Sequence, residues 1–124
     1  MAAMTSLVAS LGAGKGTWNE VAKLISSESW SGIFLVTNDF GKENFGQKFG
    51  GAKAEFVVVN DLSPAEQLLQ EIKKGLSGKI NDTEVAVNMA SGTGNVHMAL
   101  IAALIQLGMG IRFVVPSESG AKEL

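Results

Sequence analysis

The chain has 124 residues, a length typical of one domain, and 46% of them are hydrophobic, which is enough to form a core. Its 10 basic and 12 acidic residues give a net charge of -2, which argues against binding duplex nucleic acid through a broad positive face. It contains no cysteine and one histidine, His97. This composition excludes disulfides, thiolate metal sites and a histidine-rich metal site within one chain. We expect a single domain over residues 1–124, with no metal and no cofactor.

Two segments bear on the location of the protein. The N-terminus lacks the basic start of a signal peptide. The stretch from Val85 to Ile111 is uncharged when His97 is neutral and is long enough to cross a bilayer, but it contains polar residues and a central glycine turn. It is more typical of a buried strand–turn–helix–strand unit. We therefore predict a cytoplasmic protein that does not associate with a membrane.

Five β-rich runs alternate with helical patterns along the chain. They are Met4–Ser10, Ile33–Thr37, Glu55–Asn60, Glu84–Asn88 and Ile111–Val115. The second and third contain continuous apolar stretches, as expected for parallel strands that are covered on both faces. This alternation predicts an α/β fold, a Rossmann-like three-layer α/β/α sandwich with a mainly parallel sheet of five or six strands.

The helices differ in how clearly their sequences define them. Thr17 with Glu20, and Ser63 with Glu66, have the spacing of capping boxes at two helix starts. The glycine-rich segment Asp39–Gly51 is the least regular and is compatible with a weak helix or a loop. The last helix, Val96–Leu107, is apolar on nearly every side. We predict that one side covers the sheet and the other meets a second subunit in a homodimer; the alternative is that the loop around Gly41–Gly51 covers it.

Two glycine-rich turns follow the first and fourth strands. If these strands are neighbours, both turns open into one crevice at the carboxyl edge of the sheet, where doubly wound sheets bind ligands. Glycines let backbone amides approach an anion, helix N-termini favour negative charge, and Lys15 adds a cation. The predicted ligand-binding residues are Ser10, Leu11, Gly12, Gly14, Lys15, Asn88, Ser91, Gly92, Thr93 and Asn95. The alternative is that these residues only cap helices and permit tight turns.

Across most of its length the chain resembles the CARF domain, the CRISPR-associated Rossmann fold. The turn Ser10-Leu11-Gly12 enters a helix, and the run Val85–Thr93 is similar to the family's hydrophobic strand followed by Asn-x-Thr-Gly-Gly-Thr. The long helix after it, rich in alanine and leucine, also resembles the family. The resemblance implies a homodimer that binds a cyclic oligoadenylate messenger across its two-fold axis in CRISPR-linked antiviral defence. It places Ser10, Gly12, Gly92 and Thr93 at that ligand, with Lys15 and Asn95 near it.

Because the chain ends soon after Val115, we expect a stand-alone member, without the effector domain that some relatives carry. Such members can act as ring nucleases, in which a ribose 2′-hydroxyl attacks its own phosphate and the protein orients it and stabilises charge. On that basis Ser10 and Lys15 are the candidate catalytic residues of a metal-independent enzyme. The chain departs from the family pattern at Ala90-Ser91, and Gly94-Asn95 replaces the basic residue that often follows.

Two other functions remain open. The run Gly12–Thr17 looks like the phosphate loop of adenylate-kinase-type enzymes, but Ala9 stands where the leading glycine would be, and Arg112 is the only arginine. A small P-loop-like kinase or NTPase is therefore one alternative, and a non-catalytic structural or regulatory subunit is the other. For His97, a hydrogen-bonded structural role is favoured over acid–base catalysis. Trp18 is expected to touch ligand, and Trp30 to pack in the core or at the dimer contact.

Overall fold

The computed structural model of the protein describes residues 5–48 and 54–124, without the side chains of Lys15, Gln47 and Lys48. The strands are β1 (Ser6–Ser10), β2 (Ile33–Thr37), β3 (Glu55–Val58), β4 (Glu84–Asn88), β5 (Gly110–Ser117) and β6 (Gly120–Glu123). The helices are α1 (Trp18–Ser27), α2 (Asp39–Lys48), α3 (Ala65–Leu76) and α4 (Gly94–Gln106), and a short 3₁₀ turn, Lys15–Thr17, leads into α1. The fold is therefore α/β, as predicted, with strands and helices alternating as far as β5.

The six strands form one sheet in the order β3-β2-β1-β4-β5-β6. The first five strands are parallel to their neighbours, and only β5 and β6 pair antiparallel. Strands β1 and β4 are adjacent, with Ala9 opposite Asn88. The chain builds the sheet outward in one direction from β1 to β3 and in the other from β4 onward, so the boundary between β1 and β4 is the point where the strand order reverses.

Side chains of the central strands alternate between the two faces of the sheet, and on each face they pack against helices. Val8 lies in a buried cluster with residues of α3 and α4, such as Ile72 and Leu100. Its neighbour Ala9 points the other way, into a cluster with Trp18 at the start of α1 and Phe45 of α2. Helices α1 and α2 thus cover one face and α3 and α4 the other, an arrangement compatible with the Rossmann-like layered fold.

Both predicted capping boxes are wrong. Thr17 precedes α1 with a helical backbone and makes no side-chain cap hydrogen bond, and Glu20 instead accepts a hydrogen bond from Asn88. Helix α3 begins one residue later than the box requires, because the extended backbone of Pro64 takes the N-cap position. A side-chain cap does form at α4, where the Thr93 hydroxyl accepts from the Val96 amide at 3.3 Å.

The segment Asp39–Gly51 is helical as far as Lys48; its residues 49–51 lie outside the described part of the chain. The side chain of Asn38 accepts from the Gly41 amide at 2.8 Å and caps the helix. Phe45, only 1% exposed, anchors α2 on the face of the sheet opposite α4. The described part of this segment therefore does not cover α4, which was the alternative to a dimer contact.

The uncharged stretch from Val85 to Ile111 forms β4, a turn, α4 and the start of β5. This confirms the predicted strand–turn–helix–strand unit. Among residues 5–48 and 54–124, no helix combines the length and the apolar character needed to cross a bilayer.

Candidate functional site

The turns after β1 and β4 are in direct contact at the carboxyl edge of the sheet. The Gly12 amide donates to the Ser91 hydroxyl at 2.8 Å, and the Ser10 hydroxyl donates to the Ser91 carbonyl at 2.5 Å. A Cβ atom placed on Gly12 would lie 2.9 Å from both Cα and N of Gly92, so glycine is needed for this approach. Gly92 itself has a φ of +107°, a conformation that other residues rarely adopt. We call the two turns, residues 10–14 and 89–93, the joined turns.

The carbonyl groups of the first turn are held from inside the protein. The buried Trp18 indole donates to the Gly12 carbonyl at 2.9 Å, and the Thr37 hydroxyl donates to the Leu11 carbonyl at 3.0 Å. A carbonyl oxygen that faced a bound anion would repel it. These interior donors therefore remove two such oxygens from the surface of the site.

The second turn is held in the same way. The Ser91 carbonyl accepts from Ser10 and also from His97 Nε2, at 2.8 Å. Because a carbonyl can only accept, Nε2 carries the hydrogen. This contact gives His97 the structural role that the sequence favoured.

Asn88 supports the second turn from below. Its Nδ2 donates to Glu20 of α1 at 3.0 Å and to the Val114 carbonyl of β5 at 2.9 Å, while its Oδ1 accepts from the Ala90 amide at 3.1 Å. The side chain is 4% exposed. One buried amide therefore ties the end of β4 to a helix and to the next strand.

A cleft of about 410 Å³ opens outside the joined turns. It is lined by Gly12, Ala13, Gly14, Gly16, Thr17, Asp61, Ala90, Ser91, Gly92 and Thr93. Its walls are formed by the 3₁₀ turn that leads into α1 and by the residues directly before α4. The positive end of the α4 dipole lies next to the cleft, and backbone amides at such an end favour an anion.

Only some of the predicted ligand-binding residues line this cleft. They are Gly12, Gly14, Ser91, Gly92 and Thr93; their contact with a ligand stays a prediction. Asn95 is exposed on the first turn of α4, beyond the lining residues. The backbone of Lys15 belongs to the 3₁₀ turn, and its side chain lies outside the described part of the structure.

Three of the predicted side chains point inward. Leu11 is packed in the core beside Trp18, and Ser10 and Asn88 are buried with their polar atoms in the hydrogen bonds described above. In this arrangement the Ser10 hydroxyl donates to the Ser91 carbonyl and is not among the groups that line the cleft, and its catalytic role stays a prediction. Trp18 is fully buried and supports the site from inside the protein. Trp30 is partly buried, donates to the Leu24 carbonyl at 2.8 Å and packs against the core.

The sequence interpretation missed Asp61, the one ionisable side chain among the described residues that line the cleft. It follows β3, whose carboxyl end lies at the same edge of the sheet as the joined turns. The available signal was the polar pair Asn60-Asp61 directly after the apolar run at 56–59.

The sole arginine, Arg112, does not reach the joined turns. Its backbone pairs with Ala86 in the middle of β4, and its guanidinium group donates to the Thr5 hydroxyl at 3.1 Å, beside the start of β1. The guanidinium group is therefore near the amino edge of the sheet, opposite the edge that carries the cleft. A phosphoryl-transfer enzyme would need cations at the phosphates, so this placement counts against the kinase alternative.

No protein-family model matches this chain, and no curated protein is significantly similar to it. In the described part of the chain, no group of three or more histidine, aspartate or glutamate side chains is placed to hold a metal ion. The function is therefore inferred from the cleft itself, together with the resemblance carried by the two turn sequences.

Proposed function

We propose that this protein is a CARF-like, Rossmann-fold nucleotide sensor that binds a cyclic oligoadenylate, with phosphate groups of the ligand at the joined turns. One observation carries the proposal: interior donors hold the carbonyl groups of Leu11, Gly12 and Ser91. An anion in the cleft would therefore meet glycines and the α4 N-terminus instead of these carbonyl oxygens.

The position of the cleft supports the same proposal. It lies beyond the carboxyl ends of β1 and β4, where the strand order reverses, and this is the place where open α/β sheets bind ligands. The turn sequences at that place are the ones that resemble the CARF family. Binding of the messenger in CRISPR-linked defence accounts for both the position of the cleft and the resemblance of the turn sequences.

Cleavage of the messenger is a narrower proposal. With Ser10 buried, charge on a phosphate would have to be stabilised by the glycine-rich backbone at the cleft and by the cation of Lys15, whose side chain lies outside the described structure. Ser10 would contribute by holding the Ser91 carbonyl, and with it the geometry of the turn. Binding does not require cleavage, so both are measured in one experiment.

We expect purified protein to bind one of cyclic tri-, tetra- or hexa-adenylate in calorimetry, at one ring for each dimer. Chromatography of the same mixtures without added metal detects linear products, which would extend the sensor to a ring nuclease. Absence of binding to all three rings would overturn the proposal. Magnesium-dependent turnover of any of the four nucleoside triphosphates would instead support the kinase or NTPase alternative.

We also propose that α4 forms the contact of a homodimer. Its outer side carries Met98 and Ile105, which are 59% and 63% exposed. With Met89, Ile101 and Ala102 they line a shallow apolar groove of about 470 Å³. Exposed apolar area of this kind on a helix is typical of a protein–protein contact, and an isologous contact between two copies of the chain would cover it.

Ile105→Glu is expected to convert the dimer to a monomer, because it places a charge in the apolar groove of the proposed contact. Sedimentation equilibrium should give the mass of two chains for the wild type and of one chain for the variant. Gln106→Glu is the matched control, because Gln106 accepts from Lys73 of α3 and faces away from the groove. A wild-type protein that stays monomeric at high concentration would contradict the dimer.

A further inference from the structure

Asp61 borders a second cavity as well as the cleft at the joined turns. This cavity, of about 480 Å³, lies beside the carboxyl ends of β2 and β3. It is lined by Asn38, Asp39, Phe40, Val58, Val59, Asn60, Asp61 and Glu71. Because Asp61 lines both cavities, the two are adjacent at the carboxyl edge of the sheet, and we call the pair the crevice.

The second cavity has an aromatic wall. Phe40 is 44% exposed, and Val58 beside it is 39% exposed. The Phe40 ring packs at 6.2 Å from the ring of Trp18, measured between centroids. Trp18 also holds the Gly12 carbonyl, so the aromatic wall and the joined turns are built on the same buried residue. An exposed ring in a cavity of this size is suited to stacking on a base.

The two parts of the crevice differ in charge. Asp39, Asp61 and Glu71 line the second cavity, and carboxylates there repel phosphate but accept hydrogen bonds from hydroxyl and amino groups. Asn38 and Asn60 use their Oδ1 atoms to accept from the amides of Gly41 and Leu62. The polar groups of this cavity therefore suit an uncharged nucleoside.

We infer that the second cavity is a nucleoside subsite for a ribonucleotide whose phosphate lies at the joined turns. The ribose is next to Asp61, where the two cavities meet, and its 2′-hydroxyl donates to the Asp61 carboxylate. The base stacks on Phe40. Repulsion between phosphate and the three carboxylates sets the direction of the ligand in the crevice. This inference rests on the proposed function and adds to it a selectivity for ribose over deoxyribose.

The test compares AMP, 2′-deoxy-AMP and inorganic pyrophosphate by calorimetry. For the wild type, AMP is expected to bind about tenfold more tightly than 2′-deoxy-AMP, the difference expected for one charge-assisted hydrogen bond. Asp61→Asn, which preserves shape, should remove that difference, and pyrophosphate should bind at least as tightly as to the wild type because one carboxylate that repels it is lost. Phe40→Leu should weaken the binding of AMP several-fold without affecting the binding of pyrophosphate. Glu118→Gln, on the exposed turn between β5 and β6, is the control and should behave as wild type.

The outcomes separate this inference from the proposed function. Equal affinities for AMP and 2′-deoxy-AMP, with pyrophosphate still bound, would overturn the nucleoside subsite and leave the phosphate site standing. An Asp61→Asn protein that keeps the ribose preference would overturn the role of Asp61. Failure of pyrophosphate, AMP and every cyclic oligoadenylate to bind would overturn the proposed function, and the subsite with it.

Discussion

Replacing Trp18 with alanine is expected to lower the free energy of unfolding by about 3–5 kcal/mol. The side chain is fully buried, lies in one cluster with Ala9, Val21 and Phe45, and is the largest of the fully buried side chains. Its removal leaves a cavity between the sheet and α1 and an unpaired Gly12 carbonyl. Urea unfolding followed by circular dichroism measures the change.

Trp18→Phe separates the two contributions. Phenylalanine keeps most of the packing but cannot donate to Gly12, so we expect a loss of about 1 kcal/mol from the hydrogen bond beyond any loss from packing. The loss of ligand affinity should be large compared with the loss of stability, because the released Gly12 carbonyl is free to turn toward the cleft. A Trp18→Phe protein that binds pyrophosphate as tightly as the wild type would show that the indole hydrogen bond does not shape the site.

Gly12→Ala is expected to abolish ligand binding at the joined turns and to destabilise the protein by about 1–3 kcal/mol. The new Cβ would lie 2.9 Å from backbone atoms of Gly92. Backbone cannot rotate away as a flexible side chain can, so the turns must separate. Separation breaks the hydrogen bond between the Gly12 amide and Ser91 and displaces the donors of the cleft together. Calorimetry with the tightest-binding cyclic oligoadenylate or pyrophosphate measures the loss, and urea unfolding the destabilisation.

Gly14→Ala is the matched control for stability. Gly14 lines the same cleft, but a Cβ there has no neighbour within 4 Å. We expect its free energy of unfolding to change by less than about 0.5 kcal/mol, as at other surface positions. If Gly12→Ala behaved like Gly14→Ala in both stability and binding, the close contact between the turns would not be needed for the site.

The sequence by itself determined the elements whose signals are local. Continuous apolar runs marked β2 and β3, and helical spacing with a polar face marked α3. Glycines at 12 and 92 marked the two turns before any tertiary contact was known. These features follow from residue type and short spacing, because the strand and helix periods are properties of the local backbone.

Other elements could not be derived locally. Strand β6 has the sequence Gly-Ala-Lys-Glu, with little β propensity, and exists because its backbone pairs with β5. Helix α2 contains internal glycines and forms because Phe45 packs on the sheet and Asn38 caps the first turn. Tertiary contacts decided both elements against weak local preference.

Only the tertiary structure decided which polar residues face the cleft. In the sequence, Ser10, Asn88 and Thr93 look equally suited to contact a ligand. Each lies at the end of a strand or shortly after it, next to a glycine-rich turn. Ser10 is committed to a partner 81 residues away and Asn88 to one 68 residues away, and such pairings appear only when β1, β4 and α1 come together. The same assembly brings Asp61 to the cleft from the end of β3. Spacing along the chain identifies the turns, but burial and pairing between distant segments determine which of their atoms a ligand can reach.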